Sequence, residues 1–319
     1  MILAPALLLL LGLFFVVKGA DILLSSAIAL GKKFKISEFF IGLIVIGFGT
    51  SLPELLVSVD AVMKDSPGLS IGNVIGSNIS NLLLVLGCSL LISRCLVKNL
   101  SKFDILFHFS IHILFLILFL FFKFNFMDGL FFILLFCLYL VYSLKNSRLE
   151  ENEDIQIEND NLSILVYENP IKLGTPIIIV SIFLTIFGAG LTVDSAMKIA
   201  LILGISESFL GLTIIALGTS LPEIATSMKA AKRGKSEIIL GNIIGSNIYN
   251  LLLILGVSSL FSSFSYEKGA LFIEIIFLTF CTFLFSLIIF FKSSISKISS
   301  FLFLFFYFSY LMWLYYSNF

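Results

Sequence analysis

Gly49-Thr50-Ser51-Leu52-Pro53-Glu54 and Gly218-Thr219-Ser220-Leu221-Pro222-Glu223 are one hexapeptide written twice, each inside a stretch otherwise apolar enough to cross a bilayer. A second run follows each copy: Gly72-Asn73-Val74-Ile75-Gly76-Ser77-Asn78-Ile79-Ser80-Asn81 and Gly241-Asn242-Ile243-Ile244-Gly245-Ser246-Asn247-Ile248-Tyr249-Asn250. Both pairs are offset by 169 residues (218 − 49 and 241 − 72). A carboxylate in hydrocarbon costs about 2.5–3.5 kcal/mol on insertion scales, so an intramembrane Glu marks function. Two of them at matching points of an internal repeat point to a transport site where the repeats meet.

The rest of the chain agrees with a membrane setting. It is 59% hydrophobic and 13% charged, with a mean hydropathy of +1.12, which excludes an ordinary soluble domain. Runs of roughly 20 apolar residues, the length that crosses ~30 Å of hydrocarbon, fall at about 2–30, 38–63, 68–93, 103–122, 127–145, 170–203, 208–231, 236–263, 269–291 and 299–316. The expected fold is an all-α polytopic membrane protein of ten transmembrane helices. The first run lacks the basic start and cleavage site of a signal peptide and reads as a retained helix. The 36 Phe residues gather in the fourth, fifth, ninth and tenth runs, which read as lipid-facing. Cys88, Cys95, Cys137 and Cys281 show no metal-ligand spacing and read as packing residues.

Basic residues sort between alternate loops. One side receives Lys32, Lys33, Lys35, Arg94, Lys98, Lys102, Lys145, Arg148, Lys229, Lys232, Arg233, Lys235, Lys292 and Lys297; the other receives Lys64, Lys123 and Lys268. The positive-inside rule then makes the rich side cytoplasmic and both termini external. Five spans in each half force the second half to enter the membrane upside down. The expected layout is a first five-helix repeat over 1–145 with its alpha-repeat at 42–87, and a short acidic cytoplasmic linker over 146–169. A second five-helix repeat follows over 170–319, with its alpha-repeat at 211–256. The linker carboxylates Glu150, Glu151, Glu153, Asp154, Glu158 and Asp160 lack the glycine and terminal Glu of a Ca²⁺ loop.

On a helix turning about 100° per residue, Gly47, Thr50, Ser51, Glu54 and Ser58 share one face, as do Ala216, Thr219, Ser220, Glu223 and Ser227. Pro53 and Pro222 cannot donate to the carbonyls of Gly49 and Gly218. Freed carbonyls in a membrane need a partner, and lining an ion site supplies one. In the following span Asn73, Ser77, Ser80 and Asn81 share an arc with Asn78 at its edge; the second copy offers Asn242, Ser246 and Asn250, with Tyr249 at the Ser80 position. These are hard oxygen donors. They suit Ca²⁺ or Na⁺, whereas Zn²⁺ and Cu²⁺ prefer nitrogen or sulfur. Bare packing of small residues and a neutral Glu–Asn contact are the bland alternatives.

At these residues the chain resembles the sodium/calcium exchanger branch of the calcium/cation antiporter superfamily, whose alpha-repeats look like Gly-Thr-Ser-X-Pro-Glu followed by Gly-Asn-X-X-Gly-Ser-Asn. The resemblance covers nearly the whole chain and implies a Ca²⁺/Na⁺ antiporter of the cell membrane working by alternating access, with the first and sixth spans sliding as a gating pair. It implies Glu54 and Glu223 as central ligands and Thr50 and Thr219 at the Ca²⁺ site. Ser51, Ser77, Ser220 and Ser246, with the carbonyls of Gly47 and Ala216, would complete the Na⁺ sites, and Asn81 and Asn250 join the pocket. Some potassium-dependent relatives carry Asp where this chain has Asn250, so potassium dependence is not expected.

The transported ions and the lipid bilayer are the expected partners; nucleic acid, a cofactor and covalent catalysis are not. Proton coupling in the same fold and a cation channel are the rival readings. Elsewhere, Asp104, His108 and His112 form a stripe read as interfacial, Lys18 with Asp21 and Asp194 with Lys198 as local ion pairs, and Ser37 and Ser206 as helix caps ahead of Glu38 and Glu207.

Overall fold

A computed structural model describes residues 2–64, 67–97, 100–121, 125–147, 161–202, 216–261 and 271–317. Lys98, Lys123, Arg148, the six linker carboxylates, Ser206, Glu207, Lys268 and the first five residues of the second alpha-repeat lie outside them.

The helices, in chain order, are α1 (Leu3–Phe34), α2 (Glu38–Thr50), α3 (Leu52–Met63), α4 (Pro67–Ile92), α5 (Lys102–Phe121), α6 (Phe126–Lys145) and α7 (Asn161–Glu168). They continue as α8 (Thr175–Ile202), α9 (Ala216–Thr219), α10 (Leu221–Lys232), α11 (Ser236–Phe261), α12 (Phe272–Phe291) and α13 (Ser299–Ser317). Among the described residues seven helices are long and apolar enough to cross a membrane, and the bent pair α2–α3 brings the number to eight. The protein is therefore an all-helical polytopic membrane protein. Of the remaining expected runs, 208–231 begins outside the described residues, and the last is the shorter apolar helix within α13. One small departure from all-α is a two-residue antiparallel pairing, β1 (Cys95–Leu96) with β2 (Ser294–Ile295).

Burial separates centre from periphery. The apolar windows of α4 and α11 are 78% and 94% buried, against 28–39% for α1, α5, α6, α8 and α12. The two helices carrying the repeated Gly-Asn-X-X-Gly-Ser-Asn run are thus the core, and the Phe-rich helices wrap it. Phe301 and Phe305 do face outward, but Phe115, Phe119, Phe132 and Phe285 turn inward, so those helices are amphipathic in shape rather than purely lipid-facing.

Outside this core, α1 lies along α8. Lipid gives no hydrophobic drive for helices to associate, so close approach of small residues must do it. A Cβ on Gly188 would come within 2.6 Å of the Val16 nitrogen, which shows how closely the backbones pass. The end of the expected linker is helical: α7 packs on α1, buries Ser163 and Val166, and sets Tyr167 under the Lys33 ammonium at 4.8 Å.

Candidate ion site

Each repeated hexapeptide breaks a helix. Ser51 has φ −84°, ψ 4° and Ser220 has φ −85°, ψ −1°, nearly the same backbone turn in both copies. Pro53 and Pro222 then sit in the first two positions of the next helix, where a missing N–H costs nothing. The break bends α2 against α3 by 43°. It places Glu54 and Glu223 in the first turns of α3 and α10, where the dipole's positive end lies. The regular arc expected for this helix is further distorted by a wide π turn over Ile41–Ile46, yet Thr50, Ser51, Glu54 and Ser58 are all buried. Corresponding π turns run through Asn81–Val85 and Tyr249–Ile254. Such wide turns gather at functional sites.

The carboxylates are served across the repeats. Glu54 meets the hydroxyls of Ser77 and Thr219 and lies close enough to Glu223 to interact electrostatically. Glu223 meets Thr50 and Ser51, the Ser51 hydroxyl donating to its Oε1 at 3.5 Å. Each Glu thus touches the other copy's threonine. Both are 1% exposed, and Glu54 Oε2, Glu223 Oε2 and Ser220 Oγ have no hydrogen-bond partner. The Gly47 carbonyl accepts from the Ser51 backbone, Thr50 and Ser246, the last at 3.5 Å.

A scaffold of amides holds these groups. Asn73 donates to the Glu54 carbonyl at 3.1 Å and to Ser58 at 2.9 Å, and Asn242 donates to Ser227 at 2.8 Å. The Thr50 hydroxyl donates to the Ile46 carbonyl at 3.0 Å and lies 3.5 Å from Asn242 Oδ1. Glycine is needed where the copies cross: a Cβ on Gly245 would lie 2.7 Å from the Leu43 carbonyl, and one on Gly241 would strike the Phe39 carbonyl.

Asn81 turns its amide to Asn247, which the arc did not include, and Asn250 turns its amide to Asn78, which the arc held at its edge. Asn81 Nδ2 donates to Asn247 Oδ1 at 3.0 Å, and Asn250 Nδ2 donates to Asn78 Oδ1 at 2.9 Å, while Asn250 Oδ1 has no partner. Asn78 and Asn247 occupy the same place in the two copies, which was the available signal. Ala216 opens the described part of its helix.

Other expectations change. His108 and His112 are buried rather than interfacial, because α5 packs against α11 and Asn247 supplies a polar partner there. Asp21 does not pair locally with Lys18. It binds Lys229 at 3.2 Å and Arg233 at 2.8 Å, which approach from the second half. Ser37 does cap its helix, accepting from the Phe40 nitrogen, and Glu38 binds Lys235 at 2.6 Å.

Among the described residues no cluster of three His, Cys, Asp or Glu exists. Two carboxylates ringed by neutral oxygens can neutralise one divalent or two monovalent hard cations. The family described as sodium/calcium exchanger protein matches residues 4–145 and 173–316. The chain belongs to that family. It is a membrane antiporter that exchanges Ca²⁺ for Na⁺. This exchanger is 31% identical over 315 residues to the sodium/calcium exchanger MaX1 of Methanosarcina acetivorans, covering 85% of this chain and 87% of that one. It is 40% identical over 262 residues to an uncharacterized membrane protein of Methanocaldococcus jannaschii, covering 79% and 80%. Its fold matches the sodium-calcium exchanger NCX_Mj, studied after a soak with zero Na⁺ and Ca²⁺, at a TM-score of 0.84 and 34% identity, over 98% of this chain and 100% of that one.

Proposed function

We propose that both transported ions use one site between the two copies, centred on Glu54 and Glu223. Ca²⁺ is held there with Thr50 and Thr219. Na⁺ takes the flanking oxygens of Ser51, Ser77, Ser220 and Ser246 with the Gly47 and Ala216 carbonyls, and Asn81 and Asn250 lend carbonyl oxygens. The observation that carries this reading is the crossed arrangement of the carboxylates, each facing the other copy's threonine with one oxygen unpartnered. A buried carboxylate oxygen without a donor is costly, and a desolvated cation relieves that cost.

The proposal includes ten spans in two inverted five-helix repeats, with both termini external and the basic loops and linker cytoplasmic, in the cell membrane. The site works without a cofactor and makes no covalent bond. Transport is electrogenic Ca²⁺ extrusion. Expelling Ca²⁺ against about 100 mV costs ~4.6 kcal/mol, and a ten-thousandfold gradient adds about 5.5. Each Na⁺ entering down one decade returns roughly 3.7. Two Na⁺ fall short and three suffice.

Radioactive Ca²⁺ uptake into proteoliposomes, with Na⁺, K⁺ and H⁺ gradients imposed separately, tests this. Only the Na⁺ gradient is expected to drive uptake, with no K⁺ requirement, and Asn250→Asp is the variant in which K⁺ dependence should be sought. Uptake driven by ΔpH without Na⁺ would make the protein proton-coupled instead.

A further inference from the structure

The chain has two histidines, and both lie on α5. His108 is fully buried, with Phe285 edge-on to its ring at 5.8 Å between centroids. Its Nε2 faces Asn247 Nδ2 at 3.3 Å. His112, one turn along, sets its Nδ1 on the His108 carbonyl at 2.7 Å. With the Asn247 amide nitrogen toward the ring, Nε2 must carry the lone pair and accept, which puts the ring proton on Nδ1, where it has no partner. That amide can then offer only its oxygen in the opposite direction, where Asn81 Nδ2 donates to it at 3.0 Å. One N–H of Asn81 is thereby spent on Asn247, which turns the carboxamide oxygen to the other side, the end available to a cation. Asn81 lies one turn beyond Ser77, which contacts Glu54.

We propose that His108 is a positioning residue for ion exchange: through Asn247 it holds the Asn81 carboxamide with its oxygen, rather than its N–H groups, toward the cation site. The proposal rests on the assignment of Asn81 to that site. The logic is that of a group behind a metal ligand, which fixes the ligand's orientation without touching the metal. If Asn247 turned over, Asn81 would follow and present N–H donors, which have no lone pair for a cation.

The test is Na⁺-driven Ca²⁺ uptake into proteoliposomes, resolved into KM and maximal rate. His108→Leu is expected to raise the KM for Ca²⁺ about fivefold, the equivalent of one net hydrogen bond of about 1 kcal/mol at 1.4 per decade. The maximal rate should stay within about twofold, the pattern of lost binding rather than lost transport steps. His108→Gln, whose Oε1 can accept in place of Nε2, should recover most of the affinity. His112→Leu, equally buried on the same helix, should leave KM unchanged. An unchanged KM in His108→Leu would overturn the proposal. So would a Gln variant as poor as Leu, or a His112→Leu effect of the same size. Where His108→Leu does not fold, His108→Met takes its place, because a thioether is only a weak acceptor. Asn81→Ala separates the two levels. A normal KM there removes Asn81 from the site, whereas a raised KM beside a normal His108→Leu overturns the positioning role alone.

Discussion

The two copies of the Gly-Asn-X-X-Gly-Ser-Asn run end in the same asparagines and support them differently. Asn81 gives its amide to Asn247, and Asn247 passes its own to His108. Asn250 gives its amide to Asn78, where the chain of bonds stops one link sooner, with Asn78 Nδ2 buried and unpartnered as His108 Nδ1 is at the end of the first chain. The helix α12, which packs on the helix of Asn78, contains no histidine. The turns between the repeated runs differ as well. Asp60 and Lys64 pair with each other at 2.7 Å on an exposed surface, with side chains 61% and 70% exposed. At the same offset of 169, Lys229 and Arg233 are both basic and clasp Asp21 of α1, at 22% and 16% exposure. Duplication kept the carboxylates and hydroxyls of the motif alike and let their supports diverge.

The largest expected effect falls where the copies agree. Glu54→Gln and Glu223→Gln should each cut Na⁺-dependent Ca²⁺ uptake at least about hundredfold, because removing one partner of a buried charged set costs about 3–5 kcal/mol. A variant that keeps near-normal uptake would show that the carboxylates are not equivalent.

Next come the supports. Asn247→Leu breaks two hydrogen bonds and strands Asn81 and His108, while Asn78→Leu breaks one and removes an unpartnered donor. Thermal unfolding in detergent should show the first variant destabilised by about 2–4 kcal/mol and the second by about 1–2, each stranded buried group costing about 1–3. Equal losses would mean the two supports do not differ energetically.

The turns give the smallest shifts. Arg233→Ala should lower stability by about 1 kcal/mol, since partly shielded ion pairs lie at the upper end of the surface range. Lys64→Ala should change it by less than about 0.5. Raising the salt concentration should narrow the gap between them, as screening weakens the better pair. A gap indifferent to salt would place the Arg233 effect in packing instead.

Much of this was legible in the residues. The membrane class follows from apolar runs, and the pairing of two buried carboxylates from a motif repeated at constant spacing. Both are local patterns with a large physical signal. Ser37 as a cap was readable for the same reason. The burial of His108 and His112 was not, because a histidine near a helix end looks the same whether it meets headgroups or a buried amide. Nor was the partner of Asp21, since a basic residue three positions away competes on paper with Lys229 and Arg233, which come from the other half. The α7 helix was hidden by the acidic composition upstream of it.

Sequence by itself determined what the chain is made to bind and where it must live. Two costly carboxylates and a set of hard oxygens in hydrocarbon leave few chemistries open. Tertiary structure alone decided which oxygen faces which carboxylate and what stands behind each asparagine. Those choices are made by bonds such as Ser51–Glu223, Asn81–Asn247 and Asp21–Arg233, whose partners are 172, 166 and 212 residues apart. Helical periodicity orders neighbours a few residues apart, and it carries no information about which distant helix will arrive on the other side.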